Sequence, residues 1–546
     1  MRMRYASLLF ALLLVAPAAL AQFDPRPLPD SPAASGANFA NPRLDAAFFQ
    51  PTSYVGAFAP GGERWDLPWA EYDPQNVDYG NPATAIVKSG AISANETWTA
   101  NNRYILEGKV DILNGVTVII EPGTIIFGRG GEVSPGVPFR SALVVNRGAK
   151  LIANGTATAP IVMTSDKPIG QRANGDWGGL VIAGRASINA PGGEAILEGG
   201  LGVPYGGGAN PNDDDDSGIY RYLRVEFSGI EFAPDNELNG ITMGGVGRGT
   251  IMEYLMVSFN DDDSFEWFGG TVNGRYLISY AALDDDFDGD TGWRGNVQFA
   301  LAIRDPFLSD VSTSNGFEQD GASSEPTPPQ TPRSAPVVSN ATVIGPLFYE
   351  DPLPGGHLFG SGVHVRRASR FSLYNSIVAG FPTGLRMDGP NVVLDAQSGE
   401  LQIRNSIFTG GFASNQAGFN AQAWYETPAF GNRRLTSLEA IGIANPFNVS
   451  AEEGAPVRVA GLALEPAYPN PATGLVNLAF SLETAQHARL SVVDVLGRQV
   501  ALVADAPAPA GRSAFTLDAS GLASGLYLVR LQTPEGVATH RLTVAR

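Results

Sequence analysis

Cysteine is absent from all 546 residues, which excludes disulfides, thiolate metal sites, a cysteine nucleophile and a lipid-modified N-terminal cysteine. Histidine is almost absent: the four are His357, His364, His487 and His540. Ser-His-Asp catalysis and zinc–histidine sites therefore have little to work with. Basic residues are scarce too, 36 Lys and Arg against 55 Asp and Glu, for a net charge of −19. Phosphate backbones need Lys and Arg, so no nucleic-acid partner is expected; the acidic balance suits solubility and divalent cations. Past the N-terminus no apolar run is long enough to span a bilayer, so no transmembrane segment is expected. Long amphipathic stretches are few, while 65 Gly and 40 Pro point to strands and tight turns.

What is present falls into five segments. Residues 1–21 read as a signal peptide: Arg2 and Arg4, an apolar core Leu8–Val15 too short for an anchor, and the small-x-small site Ala19-Leu20-Ala21. Gln22 then starts the mature chain. Residues 22–84 are irregular, yet hold Phe48, Phe49, Tyr54, Phe58, Trp65 and Trp69, too many aromatics for a free linker. They are expected to dock on the next segment and cover an end or a flank.

Residues 85–450 repeat. Tyr254, Leu255, Asp262, Asp263 and Glu266 recur 22 residues later as Tyr276, Leu277, Asp284, Asp285 and Asp288. Tyr222, Leu223, Val225 and Phe227 precede Tyr254, Leu255, Val257 and Phe259 by a constant 32, the extra ten falling near Phe232–Asn239. A fixed, strand-like period marks a β-solenoid whose coils stack like side chain on like. Corners should be Gly or Asn, where positive φ is cheap. Asn340, Asn375 and Asn405 head similar frames ending in Gly345, Gly380 and Gly410. Their amides are expected to hydrogen-bond to one another along the axis. Residues 451–464 read as a linker, and 465–546 as short alternating strands of a small antiparallel β-sandwich.

Stacking turns the acidic repeat into carboxylate columns about 4.8 Å apart. Asp284–Asp290 carries D-x-D-x-D-G, the first half of a calcium loop, but Gly295 stands where the closing Glu belongs. No single loop holds enough oxygens, so two coils are expected to share structural calcium through Asp261, Asp262, Asp263, Glu266, Asp284, Asp286, Asp288 and Asp290. Two other readings stand beside it. The acids are solvated turns, or they are catalytic, with Asp262, Asp285 and Arg294 as the candidates and extracellular polysaccharide as the substrate. Trp267 and Trp293 would stack on sugars if exposed, although buried coil aromatics are commoner. Arg275 lies on a strand where it can simply pair with acids.

Glu121-Pro-Gly-Thr124, Gly175-Asp-Trp-Gly-Gly179, Asn239–Gly247, Asp262–Gly270 and Ser314-Asn-Gly-Phe-Glu318 resemble a family of secreted right-handed parallel β-helix proteins of Bacteroidota-type bacteria. The resemblance runs from about Asn41 to Gly411 and implies a pectate-lyase-like fold, without lending an activity. Tyr468-Pro-Asn-Pro471, Asp494-Val-Leu-Gly-Arg498 and Leu522–Leu531 resemble the C-terminal sorting domain of the type IX secretion system. That likeness implies Sec export, then recognition of 465–546 by an outer-membrane translocon. A sandwich by itself would also suit a carbohydrate-binding or adhesive module. The expectation is a secreted or cell-surface β-helix protein, structural, adhesive or glycan-binding, with structural calcium; the alternative is a polysaccharide lyase or glycoside hydrolase.

Overall fold

A computed structural model describes residues 24–435 apart from 131, 135–136, 139–140, 234–235, 307, 327 and 349–357. Beyond these it describes 439–443, 457–459, 462–465, 467, 472, 474–494, 499–522, 525–534 and 536–544. Residues 1–21, where a signal peptide is expected, His357 and the Tyr468-Pro-Asn-Pro471 motif lie outside the described residues. Two compact units result, one spanning Pro25–Asn445 and the other built from the chain after Pro446.

In the first unit, 26 of the described strands join one system in which every pairing is parallel, from Ile86–Ile92 to Arg433–Arg434. Parallel neighbours cannot be hairpins, so the chain must travel around a coil before it returns. The register keeps the sequence period: Leu223 pairs with Leu255 and Leu255 with Leu277. Alternation then sorts side chains by face. Ile241, Phe265, Phe287, Phe317, Val363 and Leu385 stack in one inward column, all buried. Ring centroids within it lie 5.6 Å apart for Phe265–Phe287 and 5.0 Å for Phe287–Phe317. Each such side chain withdrawn from water contributes about 1.5–3 kcal/mol. At the first coil Lys88 lies over the rings of Trp98 and Tyr104, with its amine on Glu96 at 2.9 Å. A charge turned onto the open end protects an edge that would otherwise be a template for pairing.

One corner departs from the sequence expectation. Its left-handed positions are filled by Tyr222, Tyr254, Tyr276 and Phe299 (φ 47°, 56°, 57° and 62°) before Asn340, Asn375 and Asn405 take over. Left-handed backbone costs an ordinary residue about 1–2 kcal/mol. Ring stacking at 4.4, 4.3 and 5.0 Å offsets part of that, at about 0.5–1.5 kcal/mol per pair. The segment 25–85 supplies more. It runs as a strap along this flank, setting Trp69 edge-on against Tyr222 and Tyr254, and Trp65 against Tyr276. Further on, Tyr79 donates to the buried Glu226 at 2.9 Å and accepts from Arg224 at 2.9 Å.

The asparagine amides do not bond to one another. Asn375 Oδ1 accepts from the Asn38 backbone at 2.8 Å, and its Nδ2 reaches Asn38 O and Ser339 Oγ. Asn340 Nδ2 likewise bonds Thr52, Tyr54 and Gly56. The strap offers backbone groups that need partners, and it out-competes the neighbouring amide.

The second unit is a sandwich of two antiparallel four-stranded sheets. Val457–Val459 and Leu462–Leu464, inside the stretch expected to be a linker, pair into it through Leu462↔Leu482. Leu462 and Leu464 are buried in its core, which is why this stretch is strand and not tether.

Candidate metal centre

The turn after each central coil places the acids. Asn239, Asp263, Asp285 and Asn315 occupy one corner ladder, each side-chain oxygen taking the backbone N–H of the next rung. Asn239 Oδ1 accepts from Asp263 N at 3.3 Å, Asp263 Oδ1 from Asp285 N at 2.8 Å, and Asp285 Oδ1 from Asn315 N at 2.5 Å. Asn315 Oδ1 closes on Ser361 N at 2.8 Å. Two carboxylates thus stand in an asparagine ladder, doing the amide's structural work and adding charge.

The strands that follow alternate, sending Phe265, Phe287 and Phe317 inward and Glu266, Asp288 and Glu318 to the other face in direct register. Three groups result whose carboxylate oxygens lie within 4.8 Å of one another: Asp262, Asp263 and Asp284; Asp263, Glu266 and Asp288; Asp285, Asp288 and Glu318. Asp263 and Asp288 each belong to two. Ionised carboxylates at this spacing repel by about 3–4 kcal/mol per pair at an effective dielectric of 20. Glu198 adds to the load, since Asn239 Nδ2 donates to it at 3.2 Å and also to Glu266. Burial, then mutual repulsion, drives Asp262, Asp263, Glu266, Asp285 and Asp288 well above the usual carboxylate range. Burial, with Asp310 and Glu318 nearby, pushes Asp284 up to about 7. Asp284 Oδ1 and Asp288 Oδ1 are buried without a hydrogen-bond partner among the described residues. Such oxygens call for a proton or a cation.

Not every expected ligand is here. Asp286 points into the solenoid, fully buried, where Ser279 Oγ donates to it at 2.5 Å and Arg304 pairs with it at 3.4 Å. A bend between Asp286 and the inward Phe287 separates it from Asp288, so D-x-D-x-D-G does not wrap one ion. Asp290 lies a strand position further on and accepts from Thr291 N at 2.5 Å; burial and the Asp320 charge push it up to about 6. Asp261 lies across from Gly175, where an added Cβ would come within 2.6 Å of its carboxylate. Asp285, Glu318 and Glu198 join the cluster instead. Phe-acid pairs at 265–266, 287–288 and 317–318 were the available signal for Glu318, hidden because the interval grows from 22 to 30.

Of the catalytic candidates, Asp262 and Asp285 both lie in this carboxylate cluster, but Arg294 is not brought to them. Arg294 bonds Asp213 Oδ2 at 3.0 Å and Ser187 Oγ at 2.7 Å. Trp267 and Trp293 are buried in the core and stacked at 4.2 Å, so neither offers a face to sugar. Arg275 sits over the Phe48 ring of the strap at 4.3 Å, with Glu253 at 3.9 Å.

Coiled parallel strands, stacked inward aromatics and an outward acidic ladder define a parallel β-solenoid protein. Residues 90–442 match the family model described as a pectate-lyase like beta helix domain, and the chain belongs to that family. Residues 466–545 match a secretion system C-terminal sorting domain, which marks this as an exported protein bound for the cell surface or extracellular space. No curated protein matches the chain. Among solved structures it is similar to the Dettilon tailspike protein, 9% identical over 79% of this chain and 86% of that one, at a TM-score of 0.26. A likeness that distant carries no argument. No helix among the described residues is long and apolar enough to cross a membrane.

Proposed function

We propose that this is a surface-displayed structural or adhesive β-helix, stapled at its central coils by calcium. The signal peptide and the sorting domain would take it through Sec and then the type IX system. The observation that carries the calcium reading is the pair of buried, partnerless oxygens on Asp284 and Asp288 amid three carboxylate triads. Calcium takes six to eight oxygens in flexible geometry, and two triads sharing Asp263 or Asp288 offer that number where one loop does not. A hard cation bound by oxygens alone also suits a chain with no cysteine and with one described histidine in the solenoid, His364. Metal analysis of the purified full chain, with thermal unfolding in calcium and in chelator, tests this. Bound calcium and a higher melting temperature support it; identical melting and no metal overturn it.

A further inference from the structure

The sorting sandwich protects its strand edges unequally. Its two sheets have four. Val457–Val459 is only 3 residues long. Gly536–Val544 is met by Ala472, whose N–H reaches Thr543 O at 2.7 Å beside a bridge to Val544. Gly511–Asp518 carries Thr516, Asp518 and an Arg512 paired to Glu465 at 2.7 Å. The fourth, Gln499–Ala508, is 10 residues long and pairs only with Gln486–Asp494 among the described residues.

That last edge is neither short nor covered by another segment among the described residues. It has no Lys or Arg, its one charge is Asp505, and its Pro stands near the far end at 507. Two register shifts interrupt its pairing with Gln486–Asp494, and Val500 and Leu502 stand 37% and 50% exposed. Proteins that must stay unpaired blunt such edges with Lys or cover them. A long edge with alternate apolar side chains is instead what strand addition uses: backbone bonds give affinity and the side chains give selectivity.

We propose that Gln499–Ala508 is the edge by which the secretion apparatus holds this domain, an extended segment of an apparatus protein adding to it as one more strand, with Val500 and Leu502 as its side-chain contacts. The inference rests on 466–545 being the export signal, and the experiment separates the two. The full chain is expressed in a bacterium that carries the secretion system, and protease-accessible surface protein is measured. Removal of 466–545 should abolish surface delivery; continued delivery would overturn the export reading itself. Val500→Lys with Leu502→Lys should also abolish delivery and leave the chain in the periplasm. Leu475→Lys, on a 65%-exposed residue of the other sheet, should be delivered normally. If the double variant is delivered like wild type while the truncation is not, the edge proposal alone fails. A photocrosslinker covers the case in which the lysines unfold the sandwich. Placed at 502 it should capture an apparatus protein that the same group at 475 does not; equal capture, or capture only of a second copy of this chain, overturns the proposal.

Discussion

One column of the solenoid holds two solutions to the same problem. Glu266, Asp288 and Glu318 stack in register, followed by His364 and Arg386. At Glu318 the charge is matched: His364 Nδ1 lies 3.5 Å away, and Arg366 bonds both Glu318 and Asp320. Burial pushes Glu318 upward, but His364 and Arg366 outweigh it and hold it below the ordinary value. One coil earlier Asp288 has no such partner, and burial with Glu318 and Asp320 nearby drives it well up. The fold is common to both halves, so the backbone does not set the difference. Supply of cationic side chains does, and the unmatched half is where a metal has something to stabilise.

The largest effect should come from the cation inside the solenoid. Arg304 and Asp286 are both fully buried, and Arg304 also caps the carbonyls of Leu283 and Asp284 that carry the acidic turn. Arg304→Met should cost roughly 3–5 kcal/mol in chemical unfolding, the range for breaking a buried pair. Adding Asp286→Leu should recover most of it. A single variant as stable as wild type would show that the pair is not what holds the turn.

Next is the metal. At a hundredfold excess over its dissociation constant, calcium should stabilise the folded chain by about 2.7 kcal/mol. Asp284→Asn with Asp288→Asn should remove that gain. The pH dependence gives a second, sign-specific check. In chelator, Asp284 at about 7 and Asp290 at about 6 take up protons in the folded state above their unfolded values near 3.8. The native state then binds more protons than the unfolded one, so stability should rise as pH falls from about 7 to about 4. In calcium, protons compete with the ion and acidification should destabilise. The same slope in both conditions would count against a bound cation.

The compensated half can be broken in turn. Arg366→Met removes the partner that Glu318 and Asp320 share, leaving His364 on the one and Arg367 on the other, and should cost about 1–3 kcal/mol in chelator. Calcium should restore part of this, because Glu318 already belongs to a triad with Asp285 and Asp288. No rescue would mean that the third triad does not accept an ion.

How much of this was legible follows from which signals are local. The 22- and 32-residue intervals are backbone periods, so the register Leu223–Leu255–Leu277 and the column Glu266–Asp288 could be read directly. Which way Asp286 points could not. It depends on a bend placed between two adjacent residues, and on Arg304, 18 residues away, reaching it from just past the end of the next strand. Glu198 was hidden for a similar reason, since it comes from outside the repeat, in chain that packs over the outer face through Leu197 and Val203. Asn375 offered the right residue for a left-handed corner, but its partner, Asn38, lies 337 residues earlier. Tyr254 at a corner contradicts local propensity, and only the stacked neighbours and Trp69 make it tolerable.

The smallest expected effect has the most informative sign. Asp263 stands in the ladder between Asn239 and Asp285, and what its rung needs is an oxygen that accepts the Asp285 N–H. Asparagine keeps that oxygen and removes a charge shared by two triads. Asp263→Asn should therefore fold normally and, in chelator, be more stable than wild type by roughly 1 kcal/mol, less than the repulsion of a fully ionised pair because protons already relieve part of it. In saturating calcium the order should reverse, because the variant has lost a ligand oxygen common to two triads. Unfolding curves of both proteins in both conditions give four numbers, and the interaction between them is the quantity of interest. A variant less stable than wild type by the same margin in chelator and in calcium would make Asp263 a purely structural rung. The acidic ladder would then be a packing device whose charge is carried by protons instead of metal.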